Sequence, residues 1–291
     1  MIKIFQRLYS KIKRINARLK GVDARQLTGY PINSVPRYGH GNPHQKIYDI
    51  LNRSRSNYQS TLDGFLELKN ALLKIPVSNT DLTDEATPNW INSFLPGLDS
   101  VSIYGFLYQK KPRLYLEVGS GNSTKFAKRA ITDHDLSTKI ISIDPHPRAE
   151  IDNICDQVMR QPLEDINVEF FDCLNGGDIL LVDNSHQCFM NSDVTAFFLD
   201  ILPSLKPNIL VGIHDICLPS DYPIEYKDRY YNEQYLLACY LLAEGNRFDV
   251  VLPNGFVSDD PQLSQILDPF WNDPIMNGVG KRGSFFWLLT K

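Results

Sequence analysis

No run of about 18 apolar residues occurs anywhere in the 291-residue chain, so the sequence offers no membrane-spanning helix. The N-terminus also lacks the long apolar core of a secretory signal. Cysteine is sparse: Cys155, Cys173, Cys188, Cys217 and Cys239 form no CxxC pair. Five scattered thiols in apolar segments fit a reduced state better than a disulfide framework. Together these absences lead to the expectation of a cytoplasmic protein. Acidic residues are missing from residues 1–20, which hold seven basic ones, Lys3, Arg7, Lys11, Lys13, Arg14, Arg18 and Lys20. Of the 30 basic residues, 23 are then left to face 34 acidic ones in the rest of the chain. An acidic body argues against a nucleic-acid groove, and no nucleic-acid partner is expected.

What is present divides in two. Ile2, Phe5, Leu8, Ile12, Ile15 and Leu19 recur at helical spacing between the basic residues, and Gly21 is a natural stop. Such a helix can lie on an anionic membrane surface, contact a partner complex, or pack on its own domain with a solvated basic face. A Gly/Pro-rich stretch follows at 29–45. One or two helices come next over 46–75, ended by Pro76, and a further helix leads to Pro112. Residues 1–110 therefore read as a basic helix and a helical cap.

From residue 113 the pattern alternates. "RLYLEV", "KIISID", "QVMRQ", "DILLVD" and "NILVGIHD" are short apolar runs, with helical segments expected at 123–131, 148–154 and 191–202. A helix at 232–244 precedes "RFDVVLP" and "GSFFWLLTK", two closing strands with no helix expected between them. The pattern predicts an α/β domain over 111–291. Its form is a Rossmann-like, doubly wound, mostly parallel seven-stranded sheet with an antiparallel last strand.

Ligands of open α/β sheets bind at the carboxyl ends of the strands, where the strand order reverses. The first strand runs into "EVGSGNST", where Gly119 and Gly121 allow a close backbone approach and Asn122 or Ser123 can cap the next helix. Asp144 ends the second strand, where a carboxylate can accept both hydroxyls of a ribose. The third glycine of a dinucleotide fingerprint is replaced by Thr124.

On "EVGSGNST", "SIDP" and "GSFFWLL" the chain resembles the class I S-adenosylmethionine-dependent methyltransferases. "PRYGHGNPHQKIYDIL", "DILLVDNSHQCFMNSDV" and "GIHDICLPSDYP" resemble a bacterial subgroup linked to sugar and polysaccharide modification. The resemblance implies S-adenosyl-L-methionine as cofactor. It places Glu117 near the methionine amino group, and Gly119, Ser120, Gly121, Asn122 and Ser123 around the methionine moiety. It further places Asp144 on the ribose, Gln161 or Glu164 near the adenine, and Asp183 at the edge of the same site.

Two further strand ends carry polar clusters: Asp183, Asn184, Ser185 and His186, then His214 and Asp215. Neighbouring strands lie about 4.8 Å apart, so these loops converge if the strands pair. Methyl transfer needs the acceptor aligned and its proton removed, which suits His214, Asp215 or His186 as general base. Alternatively Asp183, His214 and Asp215 hold a divalent metal that acidifies the acceptor. Related metal-dependent enzymes place carboxylates after these strands; His214 departs from that pattern and favours Mn²⁺, Fe²⁺ or Zn²⁺ over Mg²⁺. The bland alternative is a helix cap at His186 and a structural hydrogen-bonded pair at His214–Asp215.

Tyr222, Tyr226, Arg229, Tyr230, Tyr231 and Tyr235 follow, suited to a sugar ring or anionic sugar, though some will simply pack. Arg37, Tyr38 and His40 are candidate lid residues. The expected acceptor is a small molecule or glycan, with O-methylation of a sugar or surface-glycan precursor as the leading reading. The alternatives are a sugar-modifying enzyme of another reaction class on the same fold, or a non-catalytic scaffold of a glycan-assembly complex.

Overall fold

Each expected apolar run is a strand in the computed structural model, which describes residues 35–39, 41–78, 86–147, 149–243 and 247–291. They are β1 (Leu114–Val118), β2 (Lys139–Ile143), β3 (Gln157–Met159), β4 (Ile179–Val182), β5 (Leu210–Ile213), β6 (Phe248–Pro253) and β7 (Phe286–Thr290). Together they make one sheet in the order β3-β2-β1-β4-β5-β7-β6. The first five run parallel, and β7 lies antiparallel to both β5 and β6. β1, β4 and β5 are buried at every position, as covering on both faces requires, and this explains their unbroken apolar sequence.

The register fixes the site. Val118 pairs with Ile143 and Val182, and Val182 pairs with Ile213. The next residues, Gly119, Asp144, Asp183 and His214, therefore stand side by side along one carboxyl edge. From β1 the chain runs outward to β2 and β3 on one side, then crosses back to β4 and β5 on the other, so the strand order reverses between β1 and β4.

Helices cover the sheet. Helix α1 (Gln45–Asn52), α2 (Arg55–Leu66) and α3 (Lys69–Leu72) fill the expected 46–75 region. Helix α4 (Gly97–Lys110) is buried from Gly97 to Leu107, and its polar Asp99 and Ser102 are hydrogen-bonded within the core to Asn254 and Trp287. It contacts α5 (Asn122–Asp133), whose Phe126, Ala127, Ala130 and Ile131 are buried. Beneath α4 the Trp287 indole donates to Ser102 Oγ at 3.0 Å. Residues 193–204 form α6, a helix with a π segment at Phe197–Ile201, and α7 (Glu233–Leu242) follows β5.

Two expectations need correction. Residues 148–154 yield no α-helix among the described residues, only a single 3-10 turn at Asp152–Ile154. The closing strands are not joined directly: short helices at Asn254–Asp259 and Asp268–Trp271 intervene, because "DDPQL" and "DPFWNDP" break the chain before it can extend. The antiparallel end is present all the same. No helix among the described residues is long and apolar enough to cross a membrane. Pro36–Lys291 forms one compact unit. The expected basic helix over residues 1–20 and His40 of the expected lid lie outside the described residues.

Candidate active site

The turn after β1 is set by what Gly119 cannot carry. It sits at φ +77°, and a Cβ there would fall 1.8 Å from the Asp183 carbonyl oxygen, so only glycine fits. A Cβ at Gly121 would meet nothing within 4 Å, so its glycine leaves the cleft floor open. The Gly121 amide donates to Thr124 Oγ1 at 3.0 Å, and that hydroxyl donates in turn to Glu117. Asp144 accepts from the Ser120 amide at 2.8 Å and the His146 amide at 2.7 Å. Its carboxylate is thus oriented by the glycine turn itself.

Above this turn lies a cavity of about 640 Å³, lined by Gly119 to Ser123, Asp144, Glu164 and Asp183. Its far wall is the segment 91–95, tied down where Asn122 Nδ2 donates to Asn92 Oδ1 at 3.2 Å. Two expected contacts stand apart from the cavity. Gln161 is exposed and does not line it. Glu117 lies behind the turn, fully buried, with the Tyr115 hydroxyl donating to it at 3.1 Å. Burial pushes the Glu117 carboxyl up to about 7, against hydrogen bonds from Ser123, Thr124 and Tyr115 that favour its ionised form.

Asp183, His186 and His214 converge beside this cavity, with one ligand atom from each lying within 4.8 Å of the others. Asp183 Oδ1 stands 3.2 Å from His186 Nε2 and 3.2 Å from His214 Nδ1. Asp215 Oδ2 is 3.6 Å from His186 Nε2, and its Oδ1 is 3.9 Å from His214 Nδ1. The other nitrogen of each ring is backed by a buried carboxylate. His186 Nδ1 meets Glu233 of α7, and His214 Nε2 lies 3.3 Å from Asp99 Oδ2 of α4, at an angle that makes no hydrogen bond. His186 and Asp215 both hold left-handed backbone, at φ +59° and +52°. Such conformations cost on the order of 1 kcal/mol or more and gather at functional sites.

Charge dominates the cluster. Burial alone would raise the Asp183 carboxyl, but the charges and hydrogen bonds of His214 and His186 outweigh it and hold it well below the usual carboxylate range. Burial would likewise lower both imidazoles. Glu233 and Asp183 overcome this at His186, and Asp183 and Asp215 overcome it at His214, so both rings bind their protons far more tightly than free histidine.

On the other side of Asp183 opens a second cavity of about 940 Å³, lined by His186, His214, Asp215, Tyr222, Tyr226 and Tyr231 among others. The Arg229 guanidinium lies 3.8 Å from the centre of the Tyr226 ring, a cation–π contact at the cavity wall. Tyr230 and Tyr235 do not line it; Tyr235 donates to Asp221 instead. Tyr38 reaches the cavity, and the backbone amides of Arg37 and Tyr38 are strapped to Asp221 Oδ2 at 2.6 and 2.9 Å. Asp183 and the segment 91–95 line both cavities.

Sequence reasoning missed Glu233 and Asp99. Glu233 is separated from its imidazole by 47 positions. The only signal was a carboxylate in the first turn of a helix, which is commonplace.

Residues 116–216 match a family model described as a methyltransferase domain, a span shorter than half of the chain. A comparison with curated proteins gives no match. Among solved structures, an O-methyltransferase from Bacillus cereus in complex with S-adenosylhomocysteine is 14% identical. That likeness covers 80% of this chain and 91% of that one, with a TM-score of 0.37. An O-methyltransferase from Streptomyces achromogenes involved in tomaymycin synthesis is also 14% identical, covering 77% and 96%, with a TM-score of 0.39. Scores this low carry no residue roles, and the strand order and site geometry of this chain stand on their own.

Proposed function

We propose that this chain is an S-adenosylmethionine-dependent methyltransferase acting on a hydroxyl oxygen, with a sugar or surface-glycan precursor as acceptor. The observation that carries the reading is the row Gly119, Asp144, Asp183 and His214 along one sheet edge, with a cavity on each side of Asp183. The methyltransferase match over 116–216 spans the same row.

The first cavity suits the cofactor, which when bound supplies a methyl group already activated on sulfur. Asp144 is presented with its two oxygens fixed by backbone donors, leaving acceptor capacity for a pair of ribose hydroxyls. The open floor at Gly121 admits close approach of the ligand. The second cavity suits the acceptor: Tyr222, Tyr226 and Tyr231 offer ring faces to a sugar, and Arg229 offers charge to an anionic one. In the transfer the acceptor oxygen forms a bond to the methyl carbon as the carbon–sulfur bond breaks, and the hydroxyl proton leaves to the protein. That proton is taken by an imidazole nitrogen or a carboxylate of the Asp183–His186–His214–Asp215 cluster, all four of which line the second cavity.

Calorimetric titration with S-adenosylhomocysteine and with NAD tests the cofactor, and labelled-methyl incorporation into glycan fractions tests the acceptor. His214→Ala should keep S-adenosylhomocysteine affinity and lower turnover by about 10²–10⁴. NAD binding without S-adenosylhomocysteine binding, or normal turnover in His214→Ala, would count against the proposal.

A further inference from the structure

The second cavity carries two arginines in its wall, and only one of them is neutralised. Arg282 is held by the Asp259 carboxylate, whereas Arg229 makes no ion pair among the described residues. Its guanidinium stands instead in the corner of two tyrosine rings, 3.8 Å from the centre of Tyr226 and 5.5 Å from that of Tyr231. Those rings lie 5.7 Å apart and nearly perpendicular, at 83°. Ring faces hold a guanidinium without cancelling its charge. Apart from a hydrogen bond to Tyr231, its in-plane N–H groups are left for a ligand. The backbone fixes the position as well. The Arg229 amide donates to the Tyr226 carbonyl at 2.8 Å, and the Arg229 carbonyl accepts from Gln187 Nε2 at 2.9 Å. Tyr231 also packs on His186, with ring centres 4.5 Å apart. The guanidinium is therefore one tyrosine ring away from the cluster at the strand ends, a span within reach of a single substituted pyranose.

The rest of the lining sets the charge of that ligand. Four carboxylates line the cavity, those of Asp183, Asp215, Asp221 and Asp259. Asp221 is occupied by the Arg37 and Tyr38 amides, Asp259 by Arg282, and Asp183 and Asp215 by the two imidazoles. One guanidinium remains to meet an anion. It matches a carboxylate both in charge and in the geometry of paired N–H···O contacts. A phosphate monoester, at about −1.5 to −2, would bring excess negative charge into a wall that already holds four carboxylates.

We propose that the acceptor is an acidic sugar, a pyranose bearing a carboxylate, and that Arg229 is the specificity-determining residue that takes the carboxylate. The inference deepens the reading of the second cavity as the acceptor site and rests on it. With the carboxylate on Arg229 and the sugar ring against the tyrosines, a hydroxyl of the same ring is presented to Asp183 and His214. A neutral sugar forgoes the charged contact, and this difference is how the cavity tells the two apart.

The test titrates the full chain with D-glucuronate, D-glucose and D-glucose 6-phosphate, with and without S-adenosylhomocysteine, and follows each sugar by ligand-detected NMR. Calorimetric titration of S-adenosylhomocysteine runs in parallel. Glucuronate should bind about 10–100-fold more tightly than glucose, the gain from one charged hydrogen-bonded contact, and more tightly than glucose 6-phosphate. Arg229→Gln should bring the ratio of glucuronate to glucose affinity close to unity while S-adenosylhomocysteine affinity stays near wild type. Arg229→Lys should restore only part of the ratio, because an ammonium lacks the planar fork. The side chain is exposed, so both variants should keep the wild-type melting temperature. Equal affinity for glucuronate and glucose, or a preference that survives Arg229→Gln, overturns the assignment. A preference for glucose 6-phosphate that depends on Arg229 overturns the carboxylate. Protein that binds S-adenosylhomocysteine but none of the three sugars at millimolar concentration overturns the inference and leaves the methyltransferase reading standing. A glucuronate preference that depends on Arg229, without S-adenosylhomocysteine binding, supports the anion subsite and removes that reading.

Discussion

Glu117 on β1 and Asp144, just past the end of the adjacent β2, are neighbours, yet the fold treats their carboxyls in opposite ways. Asp144 is half-buried, faces the first cavity and accepts two backbone amides. Asp144→Ala should weaken S-adenosylhomocysteine binding by about 1–3 kcal/mol, the range for losing a charged acceptor. Unchanged affinity in a calorimetric titration of a folded variant would remove Asp144 from the site. Glu117 is fully buried and its carboxyl is pushed up to about 7. Because this folded value lies above the unfolded one, its stabilising contribution is complete below about pH 4.5. It is lost as the pH rises through about 7, a change on the order of 3 kcal/mol. Wild-type stability should therefore fall relative to Glu117→Gln across that window, as read by denaturant unfolding at a series of pH values. Parallel curves would show that Glu117 does not titrate there.

At the scale of elements, α4 does more than cover the sheet. Its Asp99 accepts the Ser284 and Phe285 amides, each at 2.8 Å, and Asn254 Nδ2 at 2.7 Å, fixing the entry to β7 and the end of β6. Asp99→Ala leaves these buried donors unpaired and should lower unfolding free energy by about 3 kcal/mol or more. A loss under about 1 kcal/mol in urea would mean that the segment holds itself. The strands were legible in the sequence because parallel strands buried on both faces must be continuously apolar, and "DILLVD" and "NILVGIHD" admit little else. The glycine turn, Asp144 and the Asp183 and His214 strand ends were legible for a related reason, since each directly follows such a run. Asp99 and Glu233 were not legible: a buried carboxylate on a helix becomes recognisable only when its distant partner is beside it. Gln161 misled because β3 stops at Met159 and turns its following residues to solvent. The short helices between β6 and β7 escaped notice because none is long enough to show a period.

For the whole molecule, the two cavities share a wall, formed by the segment 91–95 and Asp183. If segment 91–95 shifts when one cavity is filled, it alters what a ligand in the other meets. The expected outcome is that the two occupancies are linked through this wall, and any such link is reciprocal. Whatever factor S-adenosylhomocysteine imposes on acceptor affinity, the acceptor must impose in return on S-adenosylhomocysteine. With a coupling on the order of 1–3 kcal/mol, that factor lies between about 5 and 150. Titrating each ligand in the presence and absence of the other closes the cycle. Asn92→Ala, which removes the tie from Asn122 to this wall, should shrink the factor while changing each separate affinity less. A factor of one in the wild type would mean that the shared wall is rigid and the two sites are independent. On the proposed reading, a larger factor would make segment 91–95 the element through which a filled first cavity changes how well the second holds its ligand.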